Sequence, residues 1–311
     1  PLFRDPENRR LHVTKVSRGL YAFALGLAKK VLLADTLSKV VTIGYDNIPE
    51  LNTFSTLMVM ICYSLQIYFD FSGYCDMAYG IGYMFNVELP CNFNSPYKSL
   101  SIADFWDRWH MTLTRFFTKY VYIPLGGNRK GVIRTYVNVL IVFLVSGFWH
   151  GAAWNFVLWG VLHGVWMVGH RFLGKYFAKL PKLLRWLGTF SGVTILWSLF
   201  RAKTIGIVIT LWERVGYGGF GPIYQPITEC FTDLMEMKVL IRTGLPGLLA
   251  DQYWILIVLA LALIALCCVF LKNTQEKVAE MRFSAGKIVV IVFLLMGSIL
   301  SLSDVSEFLY F

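Results

Sequence analysis

Long apolar runs, each closed by a short polar or basic stretch, organise this chain. Phe54 to Phe69 is one such run, and it continues into Asp70-Phe-Ser-Gly-Tyr-Cys-Asp76. A second extends from Arg134 to His150 and a third from Ala152 to His170. At 1.5 Å rise per residue the second covers only about 24 Å, short of the roughly 30 Å hydrocarbon core of a bilayer. Together they predict a helical hairpin over 135–170 whose bend, Gly147 to Gly151, lies at membrane depth with His150 on it. Leu183 to Trp212 is apolar but broken by Arg201 and Lys203, and Tyr253–Leu271 and Ile288–Leu302 read as two further spans. Gly19 to Gly44 is interrupted by Lys29, Lys30, Asp35 and Lys39, too charged for a lipid-facing span, and predicts an amphipathic or partly re-entrant helix. Ser101-Ile-Ala-Asp104 resembles a capping box and predicts a helix to about Tyr120, ended by the turn Pro124 with Gly126-Gly127-Asn128. Residues 1–18 are polar and basic, an interfacial approach segment, and Pro90 to Tyr97 is a loop.

Composition agrees with the pattern. Of 311 residues, 56% are hydrophobic and 15% charged, against about 25% charged in a soluble domain. The expected class is an all-α polytopic membrane protein in one domain, 1–311, with no internal repeat. Its 24 Phe, 16 Tyr and 10 Trp suit aromatic belts at both interfaces. The net charge of +10 is read as cytoplasmic loops obeying the positive-inside rule, with no nucleic-acid partner. Seven Lys or Arg against two Asp between Lys98 and Arg134, and five against no acid between Arg171 and Arg185, place both segments in the cytoplasm. The 213–251 loop has five acids against three bases and is expected outside, as is the tail with Asp304 and Glu307. Pro1 begins a charged segment without a signal-peptide pattern, so N-terminal spans are expected to be missing. The cysteines form no CxxC pair and read as small buried hydrophobes.

The chemistry is concentrated between Ser101 and Gly164, around His110 and His150. An imidazole inside an apolar run is costly to bury and a functional candidate by default. His150, kept neutral by desolvation, suits a general base in acyl transfer, with Trp149, Trp154 and Asn155 shaping its cavity and donating to a developing oxyanion. A histidine bonded to a neighbouring helix explains the same pattern. His110 on a continuous helix shares a face with Trp106, Asp107, Leu113 and Thr114, and Asp107 is placed to orient it. A surface histidine beside a carboxylate is the alternative. Trp106, Asp107, Arg108 and Arg115 are substrate-binding candidates with Trp149 and Asn155. Asp70 and Asp76 are read as structural carboxylates needing cationic partners, with Arg108 or Arg115 as candidates. His163 is expected to pack against Gly-rich neighbours and His170 to lie at the interface. No HxxxH or HxxE spacing points to a metal site. The Pro124–Gly131 loop lacks Walker spacing and reads as a tight turn.

Four ordered motifs carry a resemblance over nearly the whole chain. They are Gln66-Ile-Tyr-Phe-Asp-Phe-Ser-Gly-Tyr-Cys-Asp-Met-Ala, Asp104-Phe-Trp-Asp-Arg-Trp-His-Met-Thr-Leu, Tyr122-Ile-Pro-Leu-Gly-Gly-Asn-Arg-Lys-Gly and Ser146-Gly-Phe-Trp-His-Gly-Ala-Ala-Trp. The chain resembles the membrane-bound O-acyltransferase superfamily, in the branch of alginate O-acetyltransferases. The resemblance implies a ring of helices around a funnel or tunnel, with His150 as catalytic residue and His110 as a second histidine toward the donor side. It implies transfer of an acyl, here acetyl, group from a cytoplasmic thioester to hydroxyls of an extracytoplasmic polysaccharide or cell-wall glycan. The donor is acetyl-CoA or an acyl carrier thioester, with no bound cofactor. Expected partners are the lipid bilayer and an extracytoplasmic esterase-like acyltransferase, and the expected location is a bacterial plasma membrane. D-alanyl or other acyl export to teichoic acid, a transporter and an idle scaffold are the alternatives.

Overall fold

The structure is a computed structural model that describes residues 10–232, 253–282 and 284–302. The start of the approach segment, the second half of the 213–251 loop and the acidic tail lie outside the described residues. Those described are helical, with no strand among them. In order they form α1 (Val13–Ala28), a π-helical segment (Lys29–Ala34), α2 (Asp35–Asp46) and α3 (Thr53–Met84). There follow α4 (Ile102–Trp106), α5 (Met111–Phe117), α6 (Val132–His150), α7 (Trp154–Phe177), α8 (Lys182–Arg201) and α9 (Ile205–Tyr217). The order ends with α10 (Gln225–Thr232), α11 (Tyr253–Phe270), α12 (Thr274–Ala279) and α13 (Ala285–Leu300). Helices α3, α6, α7 and α8 are each long and apolar enough to cross a membrane. In α6 and α7 only 33% and 22% of the apolar window is buried within the protein. Apolar yet outward-facing helices require a hydrocarbon solvent, so the chain is an all-α, polytopic membrane protein.

Two compact units make up the chain. The first comprises residues 1–39, 65–94 and 271–311. Within it α1 lies against the second half of α3 through glycines: a Cβ on Gly26 would approach the Gly73 carbonyl to 2.6 Å, and one on Gly80 the Gly19 carbonyl to 2.5 Å. Such contacts let two backbones meet where no hydrophobic effect drives helices together in lipid. Tyr21, Ala22 and Ala24 of α1 bury against Val278, Met281 and Ile291.

The charges of Gly19–Gly44 are inside this unit, not spread along an amphipathic surface. Lys30 is 2% exposed, and its Nζ lies 2.9 Å from Asp35 and 2.8 Å from Asp70, both equally buried. The partner of Asp70 is therefore Lys30, where Arg108 or Arg115 was expected. Asp76 pairs with Lys29 at 2.6 Å and accepts from the Thr274 hydroxyl at 2.6 Å. A buried carboxylate is tolerated only with such partners, since desolvation of each ion costs several kcal/mol. The π segment that carries Lys30 bulges the helix where the cation is needed, a common feature of helices with buried polar work to do.

The second unit comprises residues 40–64 and 95–270. Its frame is the α6–α7 hairpin, which bends at Gly151, as the apolar runs predict. The helices approach closely because a Cβ at Gly147 would come within 2.5 Å of the Phe156 carbonyl, and one at Gly160 would strike that of Phe143. Leu183–Trp212, expected to be broken by Arg201 and Lys203, is two helices that part at Ala202 between those residues. The expected helix from Ser101 to Tyr120 is also broken. Ser101 caps α4 as predicted, its hydroxyl accepting from the Asp104 N–H at 3.1 Å. But α4 ends at Trp106, and α5 starts only after His110, which has φ 45°. The Gly126–Gly127 turn, at φ 103° and 55°, is tied to α6 by the fully buried Asn138, whose amide donates to the Gly127 carbonyl at 2.9 Å.

Candidate active site

Aromatic packing decides which way the Asp104–His110 segment faces. Phe105 and Trp109 are each 1% exposed and stack at 5.5 Å, while Trp109 packs on Trp197 at 4.9 Å. These anchors hold one side of the segment in the core. Trp106, Asp107 and His110 face a cavity of about 310 Å³, which Trp109 also borders.

The opposite wall is one stripe of α6: Val139, Val142, Phe143, Ser146 and His150. Its spacing is helical, and from Val139 to His150 it extends about 17 Å. Met167 and Arg171, one turn apart on α7, complete that wall, with Leu113, Thr114, Phe117, Thr118 and Tyr122 facing them. His110 and His150 thus line the same cavity, 40 residues apart in sequence. The Trp149 ring lies beside both, at 6.4 Å from the His110 ring and 4.8 Å from that of His150. His150 also meets Trp159 and Phe200 edge-on, at 5.3 and 5.0 Å.

His110 owes its position to the left-handed turn. Histidine is among the non-glycine residues that tolerate positive φ, at a cost of order 1–3 kcal/mol, and such residues cluster at functional sites. The Thr112 hydroxyl is 3.4 Å from its Nδ1. Burial pulls the His110 pKa well below the ordinary histidine value, which favours the neutral ring. The face expected for His110 survives the break in the helix, because Trp106, Asp107, Leu113 and Thr114 all reach the cavity.

The other expected site residues, apart from Trp149 beside the two histidines, lie elsewhere. The Asn155 amide is buried and donates to the carbonyls of Leu199 and Ala202 at 3.1 and 2.8 Å, capping the end of α8. Arg108 pairs with Asp104 at 2.6 Å, and the Arg115 Nε donates to the Met111 carbonyl at 3.3 Å. Trp149 and Trp154 are both exposed. Asp70 and Asp76 stand in the other unit with Lys30 and Lys29. His163, between Gly160 and Gly164 on α7, packs among aromatic rings, and His170 lies within α7, with Phe177 beyond it. All six cysteines are free thiols; Cys62 and Cys268 are buried, whereas Cys267 is exposed.

Sequence reasoning missed Arg171, Ser146 and Tyr122. Arg171 was read only as loop charge; α7 continues to Phe177, which carries it into the helix. The i, i+4 pairing of Met167 with Arg171 was the available signal.

Comparison with known proteins identifies the family. The family described as MBOAT, membrane-bound O-acyltransferase, matches residues 1–209. A peptidoglycan O-acetyltransferase of Helicobacter pylori is 48% identical over 224 residues, covering 70% of this chain and 42% of that protein. A protein named probable alginate O-acetylase, from Pseudomonas aeruginosa, is 39% identical over 213 residues, 68% of this chain and 41% of its own. A teichoic acid D-alanyltransferase of Bacillus subtilis is 30% identical over 187 residues, 57% of this chain and 46% of its own. The chain spans less than half the length of each of these relatives. With the match extending over residues 1–209 of 311, the chain belongs to the membrane-bound O-acyltransferase family.

Proposed function

We propose that the protein is an O-acyltransferase of a bacterial plasma membrane. It moves an acetyl group from a cytoplasmic thioester, acetyl-CoA or an acyl carrier thioester, to hydroxyls of an extracytoplasmic polysaccharide or cell-wall glycan. The observation that carries this reading is the convergence of His110 and His150 on one cavity. His150 takes the proton of the attacking hydroxyl. The oxygen forms a bond to the thioester carbonyl carbon, the C–S bond breaks, and the proton passes to the leaving thiolate. His110 stands on the donor side, and Trp106 and Asp107 bound the path of the acyl group. The names of the two more similar relatives support an acetyl group and a glycan acceptor. An extracytoplasmic esterase-like partner would receive the group where transfer is relayed.

His150→Ala, at unchanged protein level in the membrane, is expected to abolish acetyl ester at the cell surface; unchanged ester content would overturn the assignment. The weaker likeness to a D-alanyltransferase supplies a second reading, export of D-alanyl groups. Supplying labelled acetyl and D-alanyl thioesters in parallel separates the two by which label becomes ester. A transporter leaves both thioesters intact.

A further inference from the structure

His163 is fully buried and touches neither His110 nor His150, yet its one polar contact is with a wall of their cavity. The Trp106 indole N–H donates to His163 Nδ1 at 3.4 Å, with ring centroids 5.0 Å apart. An indole can only donate, so Nδ1 is the acceptor and the ring carries its proton on Nε2. That Nε2 has no hydrogen-bond partner among the described residues. The imidazole is packed among the rings of Trp159, Trp166 and Trp197, at centroid distances of 4.9, 6.2 and 6.4 Å, and an aromatic ring is only a weak acceptor for an N–H. A leucine in that place would pack without orphaning a polar atom. The imidazole is therefore explained by what Nδ1 holds.

What it holds is the register between two elements. Trp106 ends α4, four residues before His110, and its carbonyl accepts from the Thr114 hydroxyl at 3.4 Å. His163 is on α7, whose hairpin partner α6 carries His150. Helix α4 has only five residues and does not fix its own position. We propose that His163 is a positioning residue for acyl transfer: through Nδ1 it fixes the Trp106 indole, and with it the His110 turn, against the hairpin that bears His150. This rests on the O-acyltransferase reading.

The test uses the full-length protein in membranes, with acetyl-CoA and acetyl-acyl carrier protein offered in parallel. His163→Leu removes the acceptor, and Trp106→Phe removes the donor while keeping a ring. Each is expected to lower kcat roughly ten- to a hundredfold with donor KM little changed, the penalty of a small misplacement. The double variant should lose no more than either single. His163→Asn, whose Oδ1 lies near the position of Nδ1, should recover most of kcat. Wild-type kcat in His163→Leu, or His163→Asn no better than His163→Leu, would overturn the proposal. If wild-type protein transfers no acetyl from either donor, the function falls instead. Thermal melting of wild type, His163→Leu, Trp106→Phe and their double variant then decides the contact by itself: coupled shifts in Tm uphold it, and additive shifts overturn it.

Discussion

At the residue scale, burial and hydrogen-bond capacity separate groups positioned for chemistry from groups that hold the frame. His110 stands outside the four long apolar helices, and burial keeps its pKa below the ordinary value of about 6.5. A histidine with a lowered folded pKa stays neutral further into acid. Transfer that needs a neutral His110 should therefore show no loss near pH 6.5 and fall only at lower pH. The pH profile of transfer in membrane vesicles checks this, and an acid limb centred near 6.5 would contradict it. Folding stability falls in the same direction but from a higher pH, since the unfolded chain binds the proton first and this contribution declines as pH drops below about 6.5. Asn155 gives a different expectation, because its amide is engaged by two carbonyls at the end of α8. Asn155→Ala should cost about 1–3 kcal/mol by leaving buried acceptors unmet, lowering Tm. If it instead lowered kcat at unchanged Tm, an oxyanion role for Asn155 would stand.

At the element scale, the sequence exposes periodic apolar helices and conceals pairings and breaks. The hairpin of α6 and α7 was legible because two apolar runs flank a glycine-bounded stretch. The face that His110 shares with Trp106, Asp107, Leu113 and Thr114 was legible from helical spacing, whereas the burial of Phe105 and Trp109 was not. The break at His110 was not legible, since no glycine or proline marks it and the left-handed turn is imposed by anchors on either side. The placement of Lys30 was hidden for another reason: its partner Asp70 is 40 residues away, and hydropathy registers a lysine only as polar. Lys30→Met would leave two carboxylates buried without their cation and should destabilise the protein by about 3–5 kcal/mol. Thermal unfolding in detergent measures it. A Tm equal to that of wild type would mean that the carboxylates find protons or other cations at no cost.

At the scale of the whole molecule, the surface of the hairpin decides the solvent. Val137, Val145, Val161 and Val165 of α6 and α7 are exposed from the protein, which is where lipid must cover them. Val165→Asp should therefore impede insertion by up to about 2.5–3.5 kcal/mol without touching the cavity. Fractionation should find less of this variant in the membrane, and undiminished membrane recovery would argue against a lipid-facing position. The four motifs carried the family, two of them hold the two histidines, and three of them hold residues that line the cavity. They gave no access to Arg171 or to the Trp106–His163 contact, which arise only when α7 is folded against α4.

The left-handed backbone at His110 limits how a descendant of this chain could shed its imidazole. Glycine and asparagine adopt that conformation readily, whereas alanine or a β-branched residue would distort the turn and displace Trp106 with it. A lineage drifting toward inactivity while keeping its shape would pass through His110→Asn. The same substitution, rather than alanine, is the cleaner knockout at the bench.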